Sequence, residues 1–335
     1  MLSRVADALY WMSRYIERAE YLARLVDVNM QSILDLQAGE KESEYWKPLL
    51  YTFAEGDLIS EARADLDTLD VGYFIALAKE NPGSIRQCIA LARENARSIR
   101  DQLSEGIFVE LNSISLFLQS DEAERLWHRA PEELCRRVIR FSLVFQGLCD
   151  STLPRNEGSH FIQMGKNLER ADKTSRILDM LTYGDIEMPS VSHANVLRSC
   201  SALAAYRYEF RGRVSTDSVA LFLLFSSRFP RSVRFCAEAI NTSLHAISGH
   251  AHGHYSNEVE RITGSLQGEL SFSGLEAIQQ TGLHDYIDRL QSRLNEIGQK
   301  LFETYILLPS AVKDVTVSQR ERAEFFQYQQ QQQQQ

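Results

Sequence analysis

A chain of 335 residues with 44% hydrophobic and 24% charged residues, and only seven prolines, has the make-up of a soluble globular protein rich in helix rather than an all-β one. Its net charge of −9 argues against a nucleic-acid or anionic-membrane partner, because phosphate binding draws on a surplus of lysine and arginine. The five cysteines (Cys88, Cys135, Cys149, Cys200 and Cys236) form no Cys-x-x-Cys pair, so neither a disulfide framework nor a zinc site is expected and a reducing cytoplasm is the default compartment.

Helical periodicity begins at once. At about 100° per residue, Trp11, Met12, Tyr15, Ile16, Ala19, Leu22, Ala23 and Val26 share one apolar arc, which predicts a helix packed against others. Similar patterns predict helices over 73–79, 84–103, 131–148, 159–181, 194–210, 219–225, 231–247 and 275–305. Breaks fall at 38–43, Asn81-Pro82-Gly83, 153–158, 183–189, Phe229-Pro230 and 248–253. The apolar run at 218–225 is too short to span a bilayer and reads as core. The glutamine homopolymer at 329–335 is expected to be disordered.

Two stretches recur. Met12 to Asp27 and Met164 to Asp179 align with six of 16 positions identical, at an offset of 152 residues from Glu17 to Glu169. "NPGSIRQC" and "FPRSVRFC" then repeat at an offset of 148 from Pro82 to Pro230, in the same order along the chain. Collinear matches of this kind predict an all-α fold of two tandem-duplicated helical halves, 1–153 and 154–312, packed as one pseudo-twofold bundle, with an extension over 313–335.

Charged stripes accompany the repeat. Glu17, Glu20, Arg24 and Asp27 lie within roughly 80° of one another on the first helix, and Glu169, Asp172, Arg176 and Asp179 form the counterpart. Glu20→Arg24 and Asp172→Arg176 are i,i+4 ion pairs in the favourable direction. Such pairing does not account for Glu17 and Glu169, so two readings stand: a shared polar site near a twofold axis, or ordinary ion pairing. A stripe of opposite sign, Arg86, Arg93, Arg97 and Arg100, is either neutralised by acids on a neighbouring helix or forms an anion site of guanidinium forks. His160 opens the helix that carries Glu169 and reads as a cap, a core residue or a proton-transfer group. His250, His252 and His254 lie in a glycine-containing stretch and read as loop histidines. No metal-ligand set is expected: the carboxylate pairs lack the Glu-x-x-His spacing of di-metal bundles. Phosphate-loop, Rossmann, Gly-x-Ser-x-Gly and His-Glu-x-x-His signatures are absent from the sequence.

The stretches "MLSRVADALYWMSRYIERAEYLARLVDVN", "NPGSIRQCIALARENARSIRDQLSEGIFVELN", "GSHFIQMGKNLERADKTSRILDM", "FPRSVRFC" and "GLHDYIDRL" together resemble the alpha-E domain family, a bacterial all-helical family. The likeness runs from about Met1 to residue 308, with Phe108 standing where the family more often has tryptophan. The resemblance implies genomic company with circularly permuted ATP-grasp proteins and transglutaminase-like peptidases. It therefore implies a helical partner subunit of an ATP-grasp ligase that makes an amide bond on a peptide or amino-acid substrate. ATP and Mg would sit on the ligase, and no cofactor is expected on this chain. Matching the family motifs points to Glu17, Arg18, Glu20, Glu169, Arg170, Asp172, Arg93, Asn95, Arg97 and Arg100, among which Arg18, Arg170 and Asn95 are added by the resemblance alone. On this reading Glu17 and Glu169 bind an amine or act as general base, while the remaining residues, with Arg24, Arg176 and His160, hold substrate. The alternative is a stand-alone helical acid–base or metal-dependent enzyme built on the paired carboxylates.

Overall fold

The computed structural model describes residues 1–34, 42–53, 70–183, 191–212 and 214–307. The glutamine tail and the extension beyond residue 312 lie outside the described residues. Among those described the fold is all-α: fifteen helices and no strand. In chain order these are α1 (Ser3–Ile33), α2 (Glu42–Phe53), α3 (Val71–Ala76), α4 (Ile85–Ser98), α5 (Glu105–Leu118), α6 (Asp121–Arg129), α7 (Pro131–Thr152) and α8 (Glu157–Asp179). They continue with α9 (His193–Ser199), α10 (Leu203–Glu209), α11 (Thr216–Phe225), α12 (Val233–Ser248), α13 (Glu258–Phe272), α14 (Leu275–Thr281) and α15 (Leu283–Tyr305). None of the described helices is long and apolar enough to cross a membrane.

The two long helices α1 and α8 lie side by side at the centre. They run parallel and nearly in register, since Met1 reaches Glu157, Arg18 reaches Glu169 and Tyr21 reaches Thr174. Their approach depends on small side chains. Ala19, Ala23 and Ala171 are fully buried, and a Cβ on Gly165 would stand 2.3 Å from the carbonyl oxygen of Tyr10. Around this pair α4 and α7 pack on α1, while α12 and α15 pack on α8. Met12, Ile16, Val26, Met164, Leu168 and Leu178 carry the apolar core between these layers.

Local sequence sets the boundaries. The two Pro-x-Ser turns end in like caps: Ser84 accepts from the Gln87 N–H to start α4, and Ser232 accepts from the Phe235 N–H to start α12. Asn156 caps α8 by accepting from the Gly158 N–H at 3.0 Å. Gly249, at φ 74°, closes α12 in the left-handed conformation that glycine adopts without strain.

Three sequence expectations shift. The segment expected over 194–210 is two helices, broken at Ser201, a non-glycine residue at φ 54°. The long C-terminal helix is interrupted by Gly282 at φ 86°. Helix α4 stops at Ser98 and gives way to a short 3-10 turn over Arg100–Gln102. Helices α2, α5, α6 and α13 are not among the helices expected from the sequence, although α6 buries Ala123, Leu126 and Trp127 and α13 buries Val259, Ile262, Leu266 and Leu270 at helical spacing; elsewhere exposed apolar residues blur the pattern. In α5, for example, Val109 and Leu116 face solvent beside buried Ile107 and Leu111.

Candidate functional site

The Glu-Arg dipeptides of α1 and α8 meet each other. Arg18 donates to Glu169 through Nε at 2.6 Å and Nη2 at 3.2 Å, and Arg170 donates to Glu17 through Nε at 2.8 Å and Nη2 at 2.9 Å. Each helix thus supplies one carboxylate and one guanidinium to a reciprocal, doubly bidentate exchange. A parallel pair related by a local twofold produces this pattern when residue i of one helix faces the successor of its equivalent on the other. The four side chains are 7% exposed or less, so the exchange sits away from water.

A second shell of charge surrounds it. Glu169 also accepts from Arg14 Nε at 2.7 Å, and Lys173 Nζ stands 3.7 Å away. Glu17 also accepts from Arg231 Nη1 at 2.9 Å and from Gln146 at 3.2 Å. Arg231 bridges on to Glu20, which further accepts from Arg24 at 2.9 Å and from the Ser142 hydroxyl at 2.7 Å. On the other helix Asp172 pairs with Lys173 at 3.0 Å and Arg176 at 3.1 Å. Burial by itself would raise the carboxyl pKa values. The arginines outweigh it, so Glu169, Glu17 and Asp172 are all held below the ordinary carboxylate range. Burial lowers the Lys173 ammonium pKa, with only partial compensation from Asp172 and Glu169.

This arrangement decides what the interior can do. A general base needs a free lone pair within reach of its substrate. Both oxygens of Glu17 and of Glu169 are taken by guanidinium or amide donors, and both residues are 1% exposed or less. As folded, neither carboxylate reaches an amine, and neither has a vacant oxygen for a metal ion. The two helices do bring their matching acids to a common interior, as the repeated stripes lead one to expect, but the acids arrive already neutralised.

The remaining candidates separate. Glu20, Arg24, Asp172 and Arg176 flank the exchange, with Arg24 and Arg176 at its solvent edge. The arginine stripe of α4 does not join them. Arg86 turns inward to the Leu118 carbonyl and to Glu124. Arg93 bonds Asn112 at 2.7 Å and Arg97 pairs with Glu94, while Arg100 lies 4.7 Å from the Phe108 ring centre. Asn95 donates to the carbonyl of Leu91 on its own helix. Arg93, Asn95, Arg97 and Arg100 miss the interior because α4 buries its apolar face of Ile85, Ile89, Ala92 and Ala96 instead, and Arg86, though buried, is taken up by Leu118 and Glu124. His160 stands in the first turns of α8, partly buried, with its pKa lowered by burial and by Arg155. Sequence reasoning passed over Arg14 and Arg231. Arg14 was visible as the partner of Lys166 in the repeat, and Arg231 as the charged residue standing where Gly83 sits in the first copy.

Helices α5, α6 and α7 offer a different surface. A cleft of about 610 Å³ opens between α5, α6 and α7, lined by the apolar Ile114, Leu126 and Phe141, by Arg129, Arg136, Arg137 and Arg140, and by Glu110, Glu122 and Glu133. The Arg137 guanidinium lies over the Phe117 ring at 3.5 Å and 3.6 Å from Glu122. Arg129 and Arg140 have no ion-pair partner among the described residues. An apolar lining beside guanidiniums without an ion-pair partner suits a ligand with a carboxylate or phosphate on an aliphatic body.

The Alpha-E family model, described as a predicted alpha-helical domain with a conserved ER motif, matches residues 1–306. The Glu-Arg dipeptides at 17–18 and 169–170 fit that description. Among curated proteins, an uncharacterized protein of Mycobacterium bovis and two of Mycobacterium tuberculosis strains are each 24% identical over 340 residues. The alignment covers 92% of this chain but 38% of each relative, so the chain spans well under half the length of the relatives it matches. No solved structure matches it.

Proposed function

The chain belongs to the Alpha-E family, and from that premise we propose that it works in the cytoplasm as the helical partner of a circularly permuted ATP-grasp ligase. Its task is substrate binding or completion of the ligase site during ATP-dependent amide-bond formation on a peptide or small metabolite. ATP and Mg stay with the ligase, and a transglutaminase-like peptidase acts in the same setting.

One observation carries the choice of a binding role over independent catalysis. The strongest concentration of chemistry in the chain, the Glu17–Arg170 and Arg18–Glu169 exchange, is closed and fully paired. The cleft on α5, α6 and α7 is open, with two guanidiniums that have no ion-pair partner among the described residues. The relatives' greater length supports the same reading, since a segment that makes up 38% of a longer polypeptide has further chain to work beside.

The test is to mix this chain with a circularly permuted ATP-grasp protein from the same genome. The expected result is a complex on size-exclusion chromatography and ATP turnover that depends on both proteins, weakened when Arg129 and Arg140 are replaced by alanine. No complex, together with ligase turnover that is indifferent to this chain, would end the proposal.

A further inference from the structure

We propose that Asp179, His284 and Asp288 form a binding site for one divalent transition-metal ion of the zinc class, at the surface where the end of α8 meets the first turn of α15. This site is separate from the partner role and does not depend on it.

The geometry comes first. One ligand atom from each of the three side chains can be chosen so that all lie within 4.8 Å of one another. His284 Nδ1 is 2.9 Å from Asp179 Oδ1, and its Nε2 is 3.7 Å from Asp288 Oδ2. Ligands about 2.0–2.2 Å from a zinc ion stand roughly 3–4 Å from one another, so small rotations of the two outer side chains close the set. Those rotations are available. The side chains of His284 and Asp288 are 49% and 60% exposed, whereas that of Asp179 is 7% exposed and fixed by its helix. His284 and Asp288 are spaced i,i+4 on α15, the spacing that sets two ligands on one helical face. A nitrogen and two carboxylate oxygens form a borderline donor set, which selects a zinc-like ion over magnesium or calcium.

The electrostatics supply an independent reason for a cation at this place. Asp179 is the last residue of α8, where the unsatisfied carbonyls carry negative partial charge that disfavours a carboxylate. The other acids of the stripe, Glu169 and Asp172, are neutralised by arginine and lysine. Asp179 has neither among the described residues; its partners are the Thr182 hydroxyl and the half-exposed imidazole. Asp285 and Asp288 add further negative charge around that imidazole. A buried carboxylate with so little compensation is costly, and a dication bound from the solvent side removes the cost. Three protein ligands on an exposed rim leave positions for water or for a ligand donor.

The experiment uses the full chain, stripped with EDTA and dialysed, and titrates Zn²⁺ alone by calorimetry, with Co²⁺ absorption as a second readout. One equivalent of Zn²⁺ is expected to bind. His284→Ala and Asp288→Asn should each weaken it at least tenfold, with helical content and melting temperature held near the parent because both positions are exposed. The His250→Ala/His252→Ala/His254→Ala triple variant should bind as the parent does. Retained affinity in His284→Ala, absence of any binding to the parent chain, or loss of binding in the triple variant would each overturn the site.

Discussion

Glu17 and Glu169 occupy equivalent places in a reciprocal exchange, yet the grips that hold them differ in construction. Glu169 takes both of its arginines, Arg14 and Arg18, from one helix, α1. Glu17 takes one from α8 and the other, Arg231, from the turn that leads into α12. The same turn is tied down twice more, by the Thr174 hydroxyl donating to the Arg231 carbonyl at 2.9 Å and by Arg170 donating to the Pro230 carbonyl at 3.3 Å. In the matching Pro-x-Ser turn before α4, Gly83 stands at the position of Arg231 and carries no side chain to reach inward. The chemistry at the centre is therefore shared while the wiring is not. One clamp joins two helices, and the other also fixes the entry to a third.

The largest effect should come from breaking either clamp. Glu169→Ala leaves Arg14 and Arg18 buried without a carboxylate, and Glu17→Ala does so to Arg170 while Arg231 keeps Glu20, a situation that costs about 3–5 kcal/mol. Calorimetric melting should show comparable losses for both. Hydrogen exchange should then separate them, with faster exchange over 230–236 in Glu17→Ala only. Replacing both members of one pair, Arg18→Met with Glu169→Met, should recover only part of the loss, because the apolar pair removes the Arg18 charge but leaves Arg14 buried without its carboxylate. The pH dependence carries the same signature. These carboxyl groups titrate lower in the folded state than in the unfolded one, so their contribution is complete above about pH 4.5 and is lost as pH falls toward the folded values. Glu169→Gln should flatten the acid limb of the stability curve. An unchanged limb would mean that the exchange does not govern acid unfolding.

A smaller effect should come from the contact beneath the clamps, where the two helices again differ at equivalent positions. Ser13 donates its hydroxyl to the Ile162 carbonyl at 2.8 Å. Its counterpart Gly165 has no side chain and lies against the Tyr10 carbonyl, where a Cβ would stand 2.3 Å from the oxygen. Gly165→Ala must push the helices apart and should cost about 1–3 kcal/mol, the range for overpacking a tight interior. Ser13→Ala keeps the spacing and loses one hydrogen bond, about 1 kcal/mol. A Gly165→Ala variant as stable as Ser13→Ala would show that the crossing can open without strain, and the register argument would weaken.

Much of this was legible in the sequence for a definable reason. The doubled Glu-Arg dipeptide and the collinear Pro-x-Ser turns expose the central helices and their caps, because both are local patterns that a linear reading can align. The acidic stripes also point correctly to a shared interior. What the sequence does not contain is the identity of the partners. Whether Glu17 is an exposed base or a locked salt bridge depends on Arg231, 214 residues away, and no spacing rule connects them. The arginine stripe of α4 misled for the opposite reason. A helical wheel shows that Arg93, Arg97 and Arg100 share a face, but not that the face turns toward Asn112 and Phe108 on α5. The Asp179 cluster needs both kinds of information. The i,i+4 pair on α15 is local, while the buried carboxylate comes from the end of α8, 105 residues earlier.

The smallest effect tests whether the difference between the two clamps stops at the interior. Arg24 and Arg176 hold Glu20 and Asp172 through i,i+4 contacts at the solvent edge, with side chains 18% and 14% exposed. Each carboxylate keeps another cationic partner when its arginine is removed, Arg231 for Glu20 and Lys173 for Asp172. The loss should therefore stay near the intrinsic value of an i,i+4 helix pair, about 0.2–0.5 kcal/mol, for both Arg24→Ala and Arg176→Ala. Denaturant midpoints measured in low and moderate salt should move little and by similar amounts, since water and ions reach both arginines. If Arg24→Ala alone cost several times more, the asymmetry set by Arg231 would extend outward along α1, and Glu20 would belong to the same cooperative clamp as Glu17. Equal and small losses would confine the asymmetry to Arg231, the buried arginine for which the turn before α4 has Gly83.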